Sequence, residues 1–149
     1  MYSKIIFVCS DNMTVSPMAS AIFRSIIREG SIKVRSRGLV VLFPEPYNPK
    51  TEALLTLHRV PTVDKVSEQF TVEELDDETL VLTMAFAEKV RILEEFGWDK
   101  NLFTIKEFVE EDGDADVFDP YGGEEEQYEQ CFIELKDLLY KVKKKLELE

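Results

Sequence analysis

The chain has 149 residues, of which 44 % are hydrophobic and 32 % charged, and this composition predicts one globular domain over residues 1–149 rather than a disordered chain. The formal net charge of −12 disfavours nucleic acids and anionic membranes as partners. No apolar run approaches the roughly 18 residues of a membrane span. The two cysteines, Cys9 and Cys131, lie far apart, and we interpret them as free thiols of a cytoplasmic protein.

The first part of the chain predicts a strand, a helix and a second strand. Residues 4–9 form an apolar run rich in branched side chains, which indicates a buried strand. Between residues 18 and 27 apolar side chains recur at helical spacing. Ser16 is the predicted N-cap of this helix, and Pro17 is its predicted first residue. Residues 32–42 then predict the second strand.

The rest of the chain continues this alternation. Three prolines between residues 44 and 49 predict a loop, since proline is unsuited to both helices and strand ladders. The later predicted elements are a helix at 53–57, one helical turn within 62–77, a strand at 79–84, a helix at 86–96, a strand at 102–105, a loop at 119–123 and a helix at 128–146. Alternating strands and helices predict an α/β fold with a mainly parallel sheet, whose ligands bind at the carboxyl ends of the strands.

The residues that follow the first predicted strand are suited to binding an oxyanion. Cys9 ends the strand, and residues 10–16 connect it to the helix. Backbone N–H groups in such a loop converge on one point, and the helix N-terminus adds positive potential. A cysteine here is expected to have a lowered pKa and to act as a nucleophile. The alternative is a buried, inert cysteine at a strand end, because free cysteines are often buried.

The wider pattern resembles the low-molecular-weight protein tyrosine phosphatases, whose opening reads V-C-x-G-N-x-C-R-S-P-M-A. The residues at the corresponding positions here are Val8 and Cys9 and, after five further residues, Val15, Ser16, Pro17, Met18 and Ala19. Residues 80–84, 103–108 and 116–123 are similar to the family's D-L-V-L-x-M, F-T-L-K-E-Y/F and D-V-x-D-P-F/Y-G-G segments. The resemblance covers nearly the whole chain in the same order, and it implies a four-stranded parallel sheet flanked by helices.

The resemblance also implies roles for individual residues. Cys9 would attack phosphorus to form a cysteinyl-phosphate, and Ser16 would hydrogen-bond the thiolate and help it leave. Asp119 would protonate the leaving group and then activate water. Tyr121 would stack beside the substrate ring, and Asn12 would hold the loop in an unusual backbone conformation, since Asn tolerates the left-handed region.

The implied phosphate loop comprises Ser10, Asp11, Asn12, Met13, Thr14 and Val15. Within it, Met13 would line the mouth of the pocket, where a bulky side chain suits an aryl phosphate. The implied ligands are a phosphate or sulfate ion in the loop and, as substrates, a phosphorylated protein or a small aryl phosphate. The resemblance implies neither a metal nor a cofactor.

Three positions depart from the family's pattern. Val15 stands where the family's arginine forks two N–H groups onto the phosphate oxygens, and this change predicts a rate lower by about 10³-fold or more. Asp11 replaces a glycine, and its carboxylate would repel phosphate if it faced inward. Thr14 replaces a second cysteine. Arg37, on the second predicted strand, could substitute for the missing arginine.

Four functions follow from these residues. The first is a phosphatase impaired by Val15, and the second is a pseudo-phosphatase that binds a phosphoprotein or an anion without turnover. The third is a phosphocysteine carrier, since the Cys-led loop resembles the IIB components of lactose/cellobiose-type sugar transport, which lack the segment around Asp119. The fourth is an arsenate reductase, which needs further cysteines, whereas Cys131 lies on a predicted helix face. His58, the only histidine, is interpreted as a surface residue, and no zinc spacing or Ser/His/Asp set occurs.

Overall fold

The computed structural model describes residues 1–149 as four strands and five helices. The strands are β1 (Lys4–Cys9), β2 (Lys33–Gly38), β3 (Thr79–Thr83) and β4 (Leu102–Thr104), and the helices are α1 (Val15–Ile26), α2 (Pro49–Leu57), α3 (Phe86–Glu95), α4 (Ile105–Phe108) and α5 (Glu125–Lys145). The strands form one sheet in the order β2-β1-β3-β4, and every pairing is parallel. The predicted α/β fold with a four-stranded parallel sheet is therefore confirmed.

Strand β1 lies inside the sheet, and its side chains alternate between two apolar cores. Ile5 and Phe7 point into the larger core, which contains side chains of α1 and α5. Ile6 and Val8 point into the smaller core beside α3 and β4. All four side chains are fully buried. This two-sided burial explains why the strand reads as a continuous apolar run, and it fixes the position of Cys9 at its carboxyl end.

Helix α1 begins earlier than its apolar periodicity predicts. Val15 is its first residue and Thr14 occupies the N-cap position, so the assignment of Ser16 as the N-cap is wrong. Pro17 is the third helical residue rather than the first. Proline is tolerated there because the N–H groups of the first helical turn have no partner within the helix. Because Ser16 does not cap the helix, its hydroxyl is free to hydrogen-bond with the Cys9 sulfur.

Helices α2 and α5 begin at Pro49 and Glu125, each a few residues earlier than predicted, and further boundary differences lie where segments leave the sheet. Strand β2 ends at Gly38 instead of residue 42, because the following residues turn back over the loop after β1, where the Val40 N–H donates to the Ser10 carbonyl at 3.0 Å. The single helical turn predicted within 62–77 is a 3₁₀ turn at Val72–Glu74. Helix α4 was not predicted, although Thr104 caps it by accepting a hydrogen bond from the Glu107 N–H at 3.0 Å. None of the helices is both long and apolar enough to span a membrane.

Candidate functional site

The Cys9 thiol lies at the end of β1 with only 6 % of the residue exposed. Its Sγ is 2.9 Å from the Ser16 Oγ at the start of α1. The backbone N–H of Asn12 also donates to Sγ, over 3.3 Å. The thiol is therefore held between a hydroxyl and a loop amide, both of which can donate to a thiolate.

The Asn12 side chain organises the loop around the cysteine. Asn12 is fully buried and has a φ of 57°, the left-handed conformation that Asn tolerates better than most residues. Its amide group donates to Ser16 Oγ and to Ser36 Oγ, both over 2.9 Å, and its Oδ1 accepts from the Glu68 N–H at 2.9 Å. Asn12 thus fixes the position of the Ser16 hydroxyl, which can donate to the Cys9 sulfur or accept from its thiol.

A cavity of about 150 Å³ opens in front of the thiol. It is lined by Cys9, Ser10, Asp11, Thr14, Val15, Met84, Ala85, Glu88, Val117, Asp119 and Tyr121. The structure thus brings together the loop after β1, the end of β3 and the segment around Asp119. Three of the lining side chains are carboxylic acids, and none is a lysine or an arginine.

The segment around Asp119 is held over the cavity by backbone contacts. The Val117 N–H donates to the Met84 carbonyl at the end of β3, over 2.8 Å. Asp119 Oδ1 accepts from the Tyr121 N–H at 3.0 Å, which leaves the second carboxylate oxygen of Asp119 without a protein partner. Tyr121 is 72 % exposed at the mouth of the cavity. This arrangement puts an acidic group and an aromatic ring on the side of the cavity from which a ligand would enter.

Val15 is the first residue of α1, and its isopropyl group faces the cavity with 5 % exposure. It offers no donor and no charge. Arg37 does not compensate for this: its guanidinium makes two hydrogen bonds to the Glu74 carboxylate, at 2.8 and 2.9 Å, and a third to the Ser36 carbonyl at 2.8 Å. The suggestion that Arg37 substitutes for an arginine in the loop is wrong, because two acidic partners, Glu74 and Glu68, hold it elsewhere.

The Asp11 carboxylate faces inward. Its Oδ1 accepts from the Met13 N–H at 3.0 Å and lies 3.8 Å from the Cys9 sulfur. A loop amide is thus already occupied by a carboxylate of the chain itself. Met13 does not line the cavity, contrary to the expectation that it forms the mouth, and its carbonyl accepts from the Asn48 N–H in front of α2.

Glu88 is a lining residue that the sequence did not indicate. It lies in the first turn of α3 with 8 % exposure. Its Oε1 accepts from the N–H groups of Met84 and Ala85, at 3.1 and 2.9 Å, and its Oε2 accepts from the Ser10 hydroxyl at 3.2 Å. Burial raises the pKa of Glu88 to about 7, although these hydrogen bonds favour the ionised form.

The Cys9 thiol does not have the lowered pKa that its position suggests. Burial raises its pKa to about 12; the hydrogen bond from Ser16 opposes this rise, whereas the charges of Glu88 and Asp11 add to it. The expectation of a lowered pKa for Cys9 is therefore wrong, because burial and the charges of Glu88 and Asp11 together outweigh the hydrogen bond from Ser16.

The remaining reactive side chains lie outside this cavity. Cys131 is fully buried in α5, and burial raises the pKa of its thiol as well. His58 stacks on Phe132 with ring centroids 4.0 Å apart, and its Nε2 lies 2.7 Å from the Glu129 carboxylate. No group of three or more His, Cys, Asp or Glu side chains is arranged to hold a metal ion.

Comparison with known proteins finds matches over almost the whole chain. Residues 4–149 match the family model described as low molecular weight phosphotyrosine protein phosphatase. The low molecular weight protein-tyrosine-phosphatase PtpB of Staphylococcus epidermidis is 35 % identical over 145 residues, which cover 97 % of this chain and 99 % of that protein.

Solved structures of similar proteins have the same fold. The solution structure of a low molecular weight protein tyrosine phosphatase from Bacillus subtilis is 38 % identical, with a TM-score of 0.83 and 97 % of each chain covered. The YwlE arginine phosphatase from Geobacillus stearothermophilus is 32 % identical, with a TM-score of 0.87, 97 % of this chain and 92 % of that chain covered.

Proposed function

Since the chain belongs to the low molecular weight phosphotyrosine protein phosphatase family, we propose that the Cys9 pocket binds the phosphate group of a phosphorylated protein or a small aryl phosphate and hydrolyses it slowly. One observation carries this proposal. Cys9 and Asp119 line one cavity that no lysine or arginine lines, and Ser16 contacts the Cys9 sulfur at 2.9 Å. We place this activity in the cytoplasm, where both thiols stay reduced.

The proposed reaction has two steps. The Cys9 thiol first gives its proton to water, and the resulting thiolate attacks phosphorus. The bond from phosphorus to the leaving oxygen breaks as Asp119, in its protonated form, gives that oxygen a proton. Asp119 then takes a proton from water, whose oxygen attacks phosphorus as the sulfur–phosphorus bond breaks. Ser16 donates a hydrogen bond to the departing thiolate, an orientation that Asn12 supports by donating to the Ser16 oxygen.

Two features of the pocket make the proposed hydrolysis slow. The thiol is neutral near pH 7 because its pKa is raised to about 12 by burial. In addition, only loop amides, and no guanidinium, would stabilise the negative charge that develops on the phosphoryl oxygens in the transition state. In other phosphoryl transfers, arginines that stabilise this charge raise the rate by roughly 10³-fold or more. We thus attribute the slow turnover to the electrostatics of the pocket, because the proposed nucleophile Cys9 and the proposed proton donor Asp119 both line it.

The test is steady-state hydrolysis of a chromogenic aryl phosphate by the wild-type protein, Cys9→Ser and Asp119→Asn. We expect slow release of the phenol by the wild type, none by Cys9→Ser and a further reduced rate for Asp119→Asn. Turnover that survives Cys9→Ser would overturn the proposal. Phosphoarginine serves as a second substrate, because a similar solved structure is that of an arginine phosphatase.

The second candidate function is an anion-binding or phosphoprotein-binding pseudo-phosphatase. It is favoured by the Asp11 carboxylate, which holds the Met13 amide and lies 3.8 Å from the sulfur. This candidate predicts that a non-hydrolysable phosphotyrosine analogue in a peptide binds to the pocket while no substrate is turned over. Detectable Cys9-dependent turnover would exclude it.

A further inference from the structure

Glu88 is a buried carboxylate that has no role in the proposed reaction. It is anchored at the carboxyl end of β3 by two backbone N–H groups, and its outer oxygen accepts from the Ser10 hydroxyl. Ser10 follows Cys9 directly and begins the loop that would surround an oxyanion. The Glu88 carboxyl therefore touches the loop itself and lines the same cavity as the thiol.

We propose that a tetrahedral oxyanion enters the Cys9 pocket together with a proton on the Glu88 carboxyl. This inference rests on the proposed function, since it assumes that the loop receives phosphate. Glu88, Asp11 and Asp119 already bring three acidic groups to a cavity of about 150 Å³ whose lining contains no lysine or arginine. An anion placed among them interacts unfavourably with each ionised carboxylate, and a proton on Glu88, the most buried of the three, removes a repulsion that solvent screens least.

The surroundings of Glu88 make it the group that takes up this proton. The titratable groups that line the cavity with Glu88 are Cys9, Asp11 and Asp119, and Asp116 accepts from the first N–H of α3. Along α3 itself the charged residues are Lys89, Arg91, Glu94 and Glu95. Lys89 is held by the Glu107 carboxylate at 2.9 Å, and Arg91 is bonded to Glu95 at 2.6 Å. Both cations are thus hydrogen-bonded to other carboxylates, and Arg91 interacts with Glu88 only through the charge–charge attraction that helps to raise the Arg91 pKa.

The direction of the pH dependence follows from proton linkage. In the free protein the pKa of Glu88 is raised to about 7 by burial, and a bound anion raises this pKa further. Binding therefore takes up a proton, so that affinity for an anion rises as the pH falls. We expect the association constant to rise roughly fivefold from about pH 8 to about pH 6, which corresponds to a pKa increase of about one unit on binding.

The experiment is a calorimetric titration with sulfate, which remains a dianion throughout this pH range, whereas phosphate itself titrates. The wild type is compared with Glu88→Gln and with Glu94→Gln, an exposed position on the same helix that gives the same change in charge. Glutamine keeps the oxygen that accepts from Met84 and Ala85, and the Ser10 hydroxyl can rotate to accept from its amide.

We expect the wild type and Glu94→Gln to bind sulfate more tightly at low pH, with proton uptake. Glu88→Gln should bind with little pH dependence and at least several-fold more tightly than the wild type near pH 8. A pH-independent affinity in the wild type, or an unchanged pH dependence in Glu88→Gln, would contradict the proposed role of Glu88 without contradicting the proposed phosphate site. If neither protein bound sulfate at any pH, the proposal that the Cys9 pocket binds phosphate would be contradicted as well.

Alkylation of Cys9 by a neutral reagent gives a second readout that a merely structural role of Glu88 would not change. The Glu88 charge adds to the rise in the pKa of the Cys9 thiol, so Glu88→Gln should shift the rate-against-pH profile to lower pH. Mass spectrometry on each cysteine separates Cys9 from Cys131, which is fully buried and should react more slowly. An unshifted profile would contradict the proposed coupling.

Discussion

At position 15 an isopropyl group faces the cavity in which an oxyanion would lie, and no other lining side chain supplies positive charge. The polar contacts of the nucleophile are nevertheless intact, because Ser16 and the Asn12 amide both reach the sulfur. In the proposed reaction, Cys9 as nucleophile and Asp119 as proton donor both line the cavity, whereas no cationic side chain there would stabilise the charge of the transition state.

Restoring a guanidinium at position 15 should therefore raise the rate of aryl phosphate hydrolysis. Val15→Arg adds two charge-assisted hydrogen bonds to the transition state, each worth roughly 1.5–3 kcal/mol, and we expect an increase in kcat/KM of at least about tenfold. The inward Asp11 carboxylate would compete for the new guanidinium. The double variant Val15→Arg, Asp11→Gly should consequently be faster than the single one in steady-state assays.

Val15→Lys is the matched control for this prediction, because it adds a positive charge but lacks the planar guanidinium that can donate two parallel hydrogen bonds to phosphate. Its rate should lie between those of the wild type and Val15→Arg. Equal rates for all four proteins would contradict the explanation, since electrostatic stabilisation at position 15 would then not limit turnover.

The sequence predicted the proximity of the candidate residues better than their environment. Cys9, Ser16 and Asp119 were assigned from the resemblance to the family's motifs, and the structure places Ser16 beside Cys9 and Asp119 in the lining of the same cavity as Cys9, while their catalytic roles stay predictions. Glu88 was missed because its closeness to Cys9 depends on β3 pairing with β1, which no local pattern reveals. The raised pKa of Cys9 was missed because burial outweighs the loop amides, and burial is a property of the folded chain.

At the scale of elements, the loop after β1 depends on contacts with β2 and with the segment beyond it. Asn12 reaches Ser36 in β2 and the backbone of Glu68, and Gly38 passes so close that a Cβ there would lie 2.8 Å from the Asp11 carbonyl carbon. The strand order of the sheet places these partners beside the loop. The loop is consequently shaped by the neighbouring strand as much as by its own sequence.

Replacement of Asn12 should separate the two contributions of this residue. Asn12→Gly removes the side-chain hydrogen bonds but keeps the left-handed backbone accessible, and we expect a loss of about 2 kcal/mol in the free energy of unfolding. Asn12→Ala also strains a backbone with a φ of 57°, which should cost about 1 kcal/mol more. Urea unfolding measures both values.

Ser36→Ala is the control for the hydrogen bonds, because it removes one partner of Asn12 and leaves the backbone unchanged. It should cost about 1 kcal/mol. Equal stabilities of Asn12→Gly and Asn12→Ala would contradict the assignment of backbone strain to this position.

The sequence also predicted elements better where they are buried on both sides than where they leave the sheet. Strand β1 has its predicted bounds because both of its faces are apolar. Strand β2 is shorter than predicted, since its apolar continuation past Gly38 crosses the loop after β1 instead of pairing in the sheet. Apolar character alone did not distinguish strand from loop there.

At the scale of the whole molecule, the proposed pocket opens on a strongly acidic protein. The net charge is −12, and residues 107–129 contain eleven acidic side chains and no basic one. Asp119 lies within this segment, and exposed glutamates follow it at the start of α5. A phosphorylated ligand therefore approaches against the charge of the protein unless other charges on the ligand offset this repulsion.

The charges that flank the phosphate group should consequently decide which phosphopeptides bind. At low ionic strength, we expect a non-hydrolysable phosphotyrosine peptide flanked by lysines and arginines to bind at least about tenfold more tightly than one flanked by aspartates and glutamates. Added salt should reduce this difference, because exposed charges are screened over about 10 Å at 0.1 M. Fluorescence anisotropy with labelled peptides measures both affinities.

Neutralising Glu125 and Glu126 to glutamine near the pocket should reduce this preference several-fold, because both lie where α5 begins beside the segment around Asp119. The matched control neutralises Glu29 and Glu94, two exposed glutamates outside that segment, and it changes the net charge equally. An equal effect of both double variants would assign the preference to net charge alone. Equal affinity of the wild type for the basic and acidic peptides at low salt would show that the acidic segment does not select the ligand.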